Sequence, residues 1–197
     1  ARRGSYAKGV AKREEILSTA LEVIAAHGYR RASVRELADA VGLSQAGLLH
    51  YFDSKEELFT EVLRKRDEVD AATLTNAISL EDADPTELLG DFLRIMRHNS
   101  EVPGLVHLHA ALSAEAGDAG HPAHSFFAQR YVGMRALFAR AIRTMQEAGS
   151  IRADLDADAF AITLIALADG LQVQWIHDPA LDMAAHIDGF LALVATR

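Results

Sequence analysis

One stretch of this chain, from Ser33 to Lys55, constrains the fold more than any other because it combines two short helices with a tight turn. Glu36 follows Ser33 at the spacing of a capping box, which predicts the start of the first helix. Gly42 supplies the left-handed backbone that a sharp turn needs. The apolar residues between them recur at the helical period and predict one buried stripe, formed by Val34, Leu37, Ala38 and Val41.

The helix after the turn is predicted to be short, with Ser44 as its cap and its end at about Tyr51. Ser54 and Glu57 then form a second capping box that opens a much longer helix. A helix of about six or seven residues is marginal in water, so neighbouring elements must hold it in place. A short helix with polar and aromatic groups on its outer face fits the major groove of DNA. We therefore predict a DNA-binding head on a helical body.

Residues 10 to 60 resemble the DNA-binding domain of the TetR family of transcriptional regulators. Many members carry tyrosine at the position of Leu49, so a tyrosine contact to phosphate is lost here, although leucine can still touch a thymine methyl group. The residues that carry the resemblance are Ile16, Leu17, Ala20, Val23, Gly28, Tyr29, Ser33, Val34, Arg35, Glu36, Leu37, Ala38, Val41, Gly42, Leu43, Ser44, Leu48, His50, Tyr51, Phe52, Ser54, Lys55, Glu56, Glu57 and Leu58.

The resemblance implies an all-α protein in two parts. Residues 1–54 would form a helix-turn-helix DNA-binding domain with a basic N-terminal arm, and residues 55–197 a helical effector-binding and dimerisation domain. It further implies a transcriptional repressor that binds a palindromic operator as a homodimer and is released by a small-molecule effector. Double-stranded DNA, a second copy of the chain and an unidentified small molecule are therefore the expected partners, and no cofactor is expected.

The body is predicted to hold five or six further helices and no strand. A connector helix is expected over 55–78, and prolines at 85 and 103 open the next two helices, because proline is tolerated in a first helical turn. The last three helices are predicted over about 123–148, 156–177 and 180–195. The final two are unusually apolar, which fits either the monomer core or a four-helix bundle formed with a symmetry mate. A dimer would also place two recognition helices about 34–36 Å apart, as a palindrome requires.

The net charge of −8 argues at first against nucleic acid, but its distribution does not. Residues 1–52 hold eight Lys/Arg and five Asp/Glu, whereas the remaining residues hold twelve and twenty-three. The head is therefore basic and the body acidic. Non-specific affinity depends on local neutralisation of phosphates, so the basic excess of the head suffices for binding DNA.

The chain has no cysteine, which excludes disulfides, thiolate metal ligands and cysteine nucleophiles, and which suits a reducing compartment. No apolar run is expected to approach the length of a membrane span, and the N-terminus shows no signal-peptide core. We therefore expect a cytoplasmic protein.

The predicted DNA contacts cluster around the turn. Gln45 can donate and accept hydrogen bonds in the bidentate manner that suits adenine, and Lys55 combines a cation with the free N–H groups of a helix start. Helix capping is the competing role for the serines, and a solvated face for the other polar residues. The full set is Ser33, Arg35, Ser44, Gln45, Ala46, Gly47, Leu49, His50, Tyr51 and Lys55. A disordered tail, with DNA contact as the alternative, is expected for Arg2, Arg3, Lys8, Lys12 and Arg13.

The body also mixes aromatic, apolar and polar side chains as small-molecule sites do. A filled core is the alternative, since an aromatic stripe at helical spacing usually packs. The residues expected to contact an effector are Met96, His109, Phe127, Tyr131, Met134, Asp169, Gln172 and Trp175.

Neither a metal site nor catalysis is expected. His107 and His109 point to different faces of one helix, and His121 and His124 flank a proline in a loop. The sequence holds no Gly-rich phosphate loop, nucleophile elbow or zinc-hydrolase helix pair, so no catalytic residue is predicted. The remaining alternative is a helical small-molecule-binding or protein-interaction module without sequence-specific DNA binding.

Overall fold

The computed structural model describes the backbone of residues 2–28, 32–74 and 87–196, and the side chains of these residues apart from 2–7, 73 and 74. Within that described part, nine α-helices are accompanied by one isolated β-bridge, and the predicted all-α class is confirmed. In chain order the helices are α1 (Arg2–His27), α2 (Val34–Ala40), α3 (Gln45–Leu49), α4 (Lys55–Leu74), α5 (Leu88–Asn99), α6 (Pro103–Glu115), α7 (His124–Glu147), α8 (Ala157–His177) and α9 (Met183–Ala192).

The helix-turn-helix forms around the predicted caps. The Ser33 hydroxyl accepts a hydrogen bond from the Glu36 N–H, and the Glu36 carboxylate accepts one from the Ser33 N–H at 3.0 Å, so the capping box is confirmed. Gly42 adopts a φ of +69° in the turn. Ser44 Oγ then accepts from the Gly47 N–H at 3.0 Å and caps α3.

The helix predicted to contact DNA, α3, is shorter than expected, since it ends at Leu49 rather than at about Tyr51. The chain tightens there: the Tyr51 N–H donates to the Leu48 carbonyl oxygen at 3.0 Å, three residues back. Leu48 is 0% exposed and anchors this helix, whereas Leu43, in the turn, is only half-buried.

The N-terminal arm is helical from Arg2 onward, so the expectation of a disordered basic tail is wrong. Lys12 Nζ lies 2.8 Å from a carboxylate oxygen of Glu15 and 3.2 Å from the carbonyl oxygen of Val41. These contacts hold part of the arm's charge against the protein, while Lys8 stays exposed.

Contacts divide the chain into two compact units. The first comprises Ala1–Asp67 and Val102–His124, and the second comprises Glu68–Glu101 and Ser125–Arg197. Within the first unit α6 packs on α1, which in turn packs on α2. As predicted, α6 opens with a proline, which needs no hydrogen-bond partner for its nitrogen in a first turn.

The second unit is built on long apolar helices. α9 packs on both α5 and α8. Phe92 of α5 meets Phe138 of α7 edge to face, with ring centroids 4.9 Å apart. Phe160 of α8 stacks on Phe190 of α9 at 5.0 Å. Asp156 caps α8 by accepting hydrogen bonds from two N–H groups of its first turn.

The last helix, α9, is shorter at both ends than the predicted range of 180–195. Asp182 sets its start, since its carboxylate accepts from the Ala185 N–H at 2.9 Å. After the helix the backbone pairs with the turn that follows α7, through a bridge between Ile151 and Ala195. This long-range pairing requires extended backbone and so ends the helix early.

α8 is long and apolar enough to cross a membrane by length and composition alone, which corrects the expectation that no apolar run approaches such a length. Ala161 and Leu164 are fully buried within the second unit, and the helix packs on α9. These contacts are those of a core helix.

α4 begins at Lys55 as predicted and is described to Leu74. The remainder of the predicted connector, residues 75–78, and the helix start at Pro85 lie outside the described residues.

Candidate nucleic-acid interface and ligand pocket

All ten residues of the predicted DNA-facing set reach the surface of the first unit. Eight of them are exposed, and Gly47 and Tyr51 are half-buried. Behind them Leu48 and Phe52 are 0% and 2% exposed. The inner face of α3 therefore fixes the helix, and its outer face remains accessible to a partner.

The outer face of α3 combines polar, small and apolar groups. The Gln45 side chain makes no hydrogen bond within the described part of the chain, so its amide is available for another molecule. Ala46 beside it is exposed, and Leu49 is 36% exposed. A Cβ at Gly47 would lie 3.2 Å from the Ser44 hydroxyl, so glycine leaves the cap undisturbed.

The two cap serines differ in what they can still offer a phosphate. Ser33 Oγ lies 3.3 Å from the Glu36 carboxylate and can donate its hydroxyl proton there. Ser44 accepts from the Gly47 N–H, and its hydroxyl proton has no acceptor among the described residues. Capping is therefore confirmed for both residues, and Ser44 is the freer donor.

The charged and aromatic members of the set lie near the ends of the short helices. Lys55 is the first residue of α4, and its Nζ lies 5.4 Å from the ring centroid of Phe59. The rings of His50 and Tyr51 meet edge to face at 6.0 Å. Arg35 Nε lies 3.9 Å from Oδ2 of Asp39, one turn further along α2, and both side chains are exposed. Such surface ion pairs are weak. A phosphate could replace that partner.

Arg13, which was expected in a tail, occupies a central position in the first unit. Its Nη1 lies 3.1 Å from Glu61 Oε2 and its Nη2 lies 3.4 Å from Glu57 Oε1. Its guanidinium carbon is 4.5 Å from the ring centroid of Phe52. Arg13 thereby ties α1 to the residues that follow the recognition helix. The spacing of the two glutamates on one face of α4 was the available signal, but their partner lies 44 residues or more away in sequence.

A pocket of about 300 Å³ lies in the second unit, where the ends of α5 and α8 meet the loop before α9. Two residues of the predicted effector set, Met96 and Trp175, line it. Its volume is at the lower end of small-molecule sites, which run from about 300 to 1,000 Å³. The complete lining is Met96, Arg97, Ser100, Trp175, Pro179, Ala180, Leu181, Asp182, Met183 and Ala184.

A second group from the effector set joins α7 to α8. The Tyr131 hydroxyl donates to Asp169 Oδ2 at 2.8 Å, and the Phe127 ring lies 6.4 Å from the Tyr131 ring. Partial burial, reinforced by the Asp169 carboxylate, raises the pKa of Tyr131 to about 12. The phenol therefore stays protonated and keeps donating over the whole physiological range.

The remaining members of the effector set are dispersed. Gln172 is buried, and its side chain donates to the Ala168 carbonyl oxygen of its own helix at 3.4 Å. Met134 Sδ lies 3.0 Å from Arg130 Nη1. His109 is buried in α6 and belongs to the first unit, whereas the other seven residues of the set belong to the second.

Over the described ranges, no group of three or more His, Asp or Glu side chains could hold a metal ion. The two loop histidines have a local structural role. His121 Nδ1 accepts from the Ala123 N–H at 3.1 Å, and His124 Nδ1 lies 2.9 Å from the Ala116 carbonyl oxygen. Both rings thus fasten the turn between α6 and α7.

Two family models match separate parts of this sequence. The model of bacterial regulatory proteins of the tetR family matches residues 16–62, which include the helix-turn-helix. The model of the C-terminal region of BetI-type transcriptional repressors matches residues 104–195.

Individual relatives agree with these models. The repressor AcnR of Corynebacterium efficiens is 40% identical over 72 residues, and the match spans only about a third of each protein, 36% of both. The repressor KstR2 of Mycobacterium tuberculosis is 29% identical over 161 residues, 75% of this chain and 72% of that protein. A transcriptional regulator of Saccharomonospora viridis, solved in complex with choline, superimposes with a TM-score of 0.68 at 27% identity, over 94% of this chain and 98% of that one. With its helix-turn-helix and its helical C-terminal region both matched, the chain belongs to the TetR family of transcriptional regulators.

Proposed function

We propose that this chain is a repressor that binds a palindromic DNA operator as a homodimer and leaves it when a small molecule binds. The accessible outer face of α3, backed by the fully buried Leu48, carries the proposal. Gln45 and Ala46 on that face suit base edges in the major groove. Lys55, at the start of α4, suits a backbone phosphate.

The proposal divides the chain by function at residues 54 and 55. Residues 1–54, together with Lys55 at the boundary, bind DNA, and the remainder of residues 55–197 binds the effector and the second copy. Because the DNA that a bacterial regulator binds lies in the cytoplasm, we expect the protein to act there.

A dimer is supported by apolar side chains that the single chain leaves in solvent. Ile162 and Val173 of α8 are 51% and 49% exposed, and Leu193, just after α9, is 74% exposed. Packing these helices against their symmetry mates would bury this surface in a four-helix bundle. The same dimer would hold two recognition helices at a fixed separation.

The effector site is proposed in the second unit. Trp175 brings an aromatic ring and Asp182 a carboxylate to the pocket of about 300 Å³, and both groups attract a quaternary ammonium ion. The Saccharomonospora viridis relative was solved with choline, a compound of that class. Choline is therefore the first effector to test, and Tyr131 and Asp169 offer a second polar group in the same unit.

The effector would act through α4. This helix begins in the first unit and continues past Asp67 into the second. A pivot of α4 would change the distance between the two recognition helices, and two fixed half-sites tolerate little change. The effector shifts the equilibrium only as far as it prefers the non-binding arrangement.

A gel-shift assay with DNA from upstream of the coding region tests the DNA-binding part. Wild-type protein is expected to bind one fragment specifically, and Tyr51→Ala and Lys55→Ala are expected to weaken binding with unchanged circular dichroism. Gln129→Ala, an exposed change on α7, is the control. Wild-type protein that binds no fragment, yet still binds small molecules, would favour a binding module without DNA recognition.

The dimer is tested by the double variant Ile162→Glu/Val173→Glu. Sedimentation is expected to show a monomer, and operator affinity is expected to fall about 100-fold, because one short helix reads only a few base pairs. Val132→Glu provides a matched control on α7, where the valine is 65% exposed. A double variant that remains dimeric would contradict this interface.

A further inference from the structure

Gly104, the second residue of α6, lies directly against the backbone of α1. A Cβ at this position would lie 1.9 Å from the Ile24 carbonyl oxygen and 2.8 Å from the Gly28 Cα. Both neighbours are backbone atoms, which cannot swing aside as a flexible side chain does. Glycine is therefore what allows the two helices to approach this closely.

The carbonyl that Gly104 contacts also accepts a hydrogen bond at the end of α1. The Gly28 N–H donates to the Ile24 carbonyl oxygen at 2.9 Å, and Gly28 has a φ of +82°, the left-handed conformation that ends many helices. The Ala32 N–H in turn donates to the Gly28 carbonyl oxygen at 3.2 Å, one residue before the cap of α2. These two hydrogen bonds connect the end of α1 to the residue that precedes the cap of α2.

The sequence of α6 matches the C-terminal region of repressors, but α6 packs within the first unit, which contains the helix-turn-helix. The match to C-terminal repressor regions begins at residue 104, whereas residues 102–124 share a compact unit with α1, α2 and α3. A displacement of α6 would therefore move α1, the helix on which it packs.

We propose that Gly104 is a positioning residue for DNA recognition, whose backbone contact with the α1 cap sets the orientation of α2 and α3 and carries movement of α6 into the head. This route runs through α1 and is separate from the pivot of α4. It rests on the proposed DNA-binding function.

The variant Gly104→Ala tests the proposal. The added methyl group must displace one backbone from the other by roughly 1.5 Å, the difference between 1.9 Å and ordinary contact at 3.4 Å. Gly133→Ala is the matched control, because it makes the same change within helix α7 where a Cβ meets nothing within 4 Å.

The decisive readout is the preferred spacing of the two operator half-sites. Affinities are measured for the operator and for versions with one base pair inserted or removed between the half-sites. The affinity of Gly104→Ala for the native operator is expected to fall at least tenfold, and its affinity for one of the altered spacings clearly less. This pattern is expected because the two DNA-binding domains of the dimer are displaced rather than unfolded. Equal loss on all three operators, or binding like that of wild type, would overturn the proposal.

Hydrogen exchange in the free protein separates this proposal from the proposed function. The Gly28 and Ala32 amides are expected to exchange at least tenfold faster in Gly104→Ala, with amides of α8 unchanged. If wild-type protein binds no DNA, the proposed function fails, whereas unchanged exchange at these two amides refutes the contact itself.

A second variant covers the case in which Gly104→Ala does not fold. Gly28→Ala strains the same cap at the residue that follows α1, and Gly149→Ala, at a φ of +73° after α7, is its control. Gly28→Ala is expected to change the spacing preference and Gly149→Ala to leave it unchanged. A Gly28→Ala protein with the wild-type preference would overturn the proposal.

Discussion

The two units of this chain place their proposed functional residues differently with respect to their cores. In the first unit Gln45 and Lys55 are exposed, and the core that supports them, including Leu48, lies behind. In the second unit Met96 and Trp175 line the pocket and are themselves 2% and 5% exposed. The proposed DNA contacts therefore involve side chains outside the core of the first unit, whereas the proposed effector contacts involve core side chains of the second unit. We therefore expect substitutions at the DNA contacts to change operator specificity without loss of folding, and substitutions at the effector contacts to change stability as well.

The largest effect that this comparison predicts is at Trp175. Trp175→Ala is expected to lower the free energy of unfolding by about 3–5 kcal/mol, because it empties a large buried site. Denaturant unfolding followed by circular dichroism measures the loss, and Trp175→Phe is expected to lose less. A change below about 1 kcal/mol would show that the body also separates recognition from stability.

Gln45→Ala should show the opposite behaviour. A bidentate contact to a base contributes about 1–3 kcal/mol of discrimination, so operator affinity is expected to fall by roughly 5- to 150-fold. The unfolding midpoint should not move, since the side chain has no intramolecular hydrogen bond among the described residues. Competition against operators with single base changes measures the effect. An unaltered base preference would show that Gln45 does not contact the bases.

Lys55→Ala is expected to act more weakly and without regard to sequence. Operator and random duplex should lose affinity by similar factors, because a phosphate contact carries no sequence information. The slope of log affinity against log salt should decrease by about 1. A loss confined to the operator would mean that Lys55 reads a base.

Tyr131→Phe is expected to have the smallest effect, about 0.5–1.5 kcal/mol for one hydrogen bond at neutral pH. The pKa of Tyr131 rises from 10.0 to about 12 in the folded protein, so this contribution is present below pH 10 and disappears as the pH approaches 12. Ultraviolet titration of the folded protein should show one tyrosine ionising near pH 12 that is missing in the variant. Identical titration curves would contradict the bond to Asp169.

The head could be predicted from sequence because its determinants are local. The capping box of Ser33 and Glu36, the φ of Gly42 and the cap at Ser44 each depend on neighbours within a few residues. The N-terminal arm was predicted wrongly, because its helix is supported by partners far along the chain. Glu61, the partner of Arg13, is 48 residues away.

The body was predictable in outline and not in its contacts. Pro103 and Asp156 mark helix starts that sequence reveals, because proline and aspartate favour those positions. The end of α9 depends on pairing between Ile151 and Ala195, which no local pattern encodes. The pocket has the same origin, because Met96 and Trp175 meet only through packing of distant helices. The DNA contacts and the effector contacts of the named residues stay predictions.

The ion pairs between α1 and α4 make ionic strength act on this protein twice. Arg13 with Glu57 and Glu61, and Lys65 with Glu14 at 2.8 Å, lie close enough to the surface for added salt to weaken them. Salt therefore loosens the support of the recognition helix at the same time as it screens phosphates. A salt titration of DNA affinity will overcount phosphate contacts unless the thermal stability of the free protein is followed over the same range.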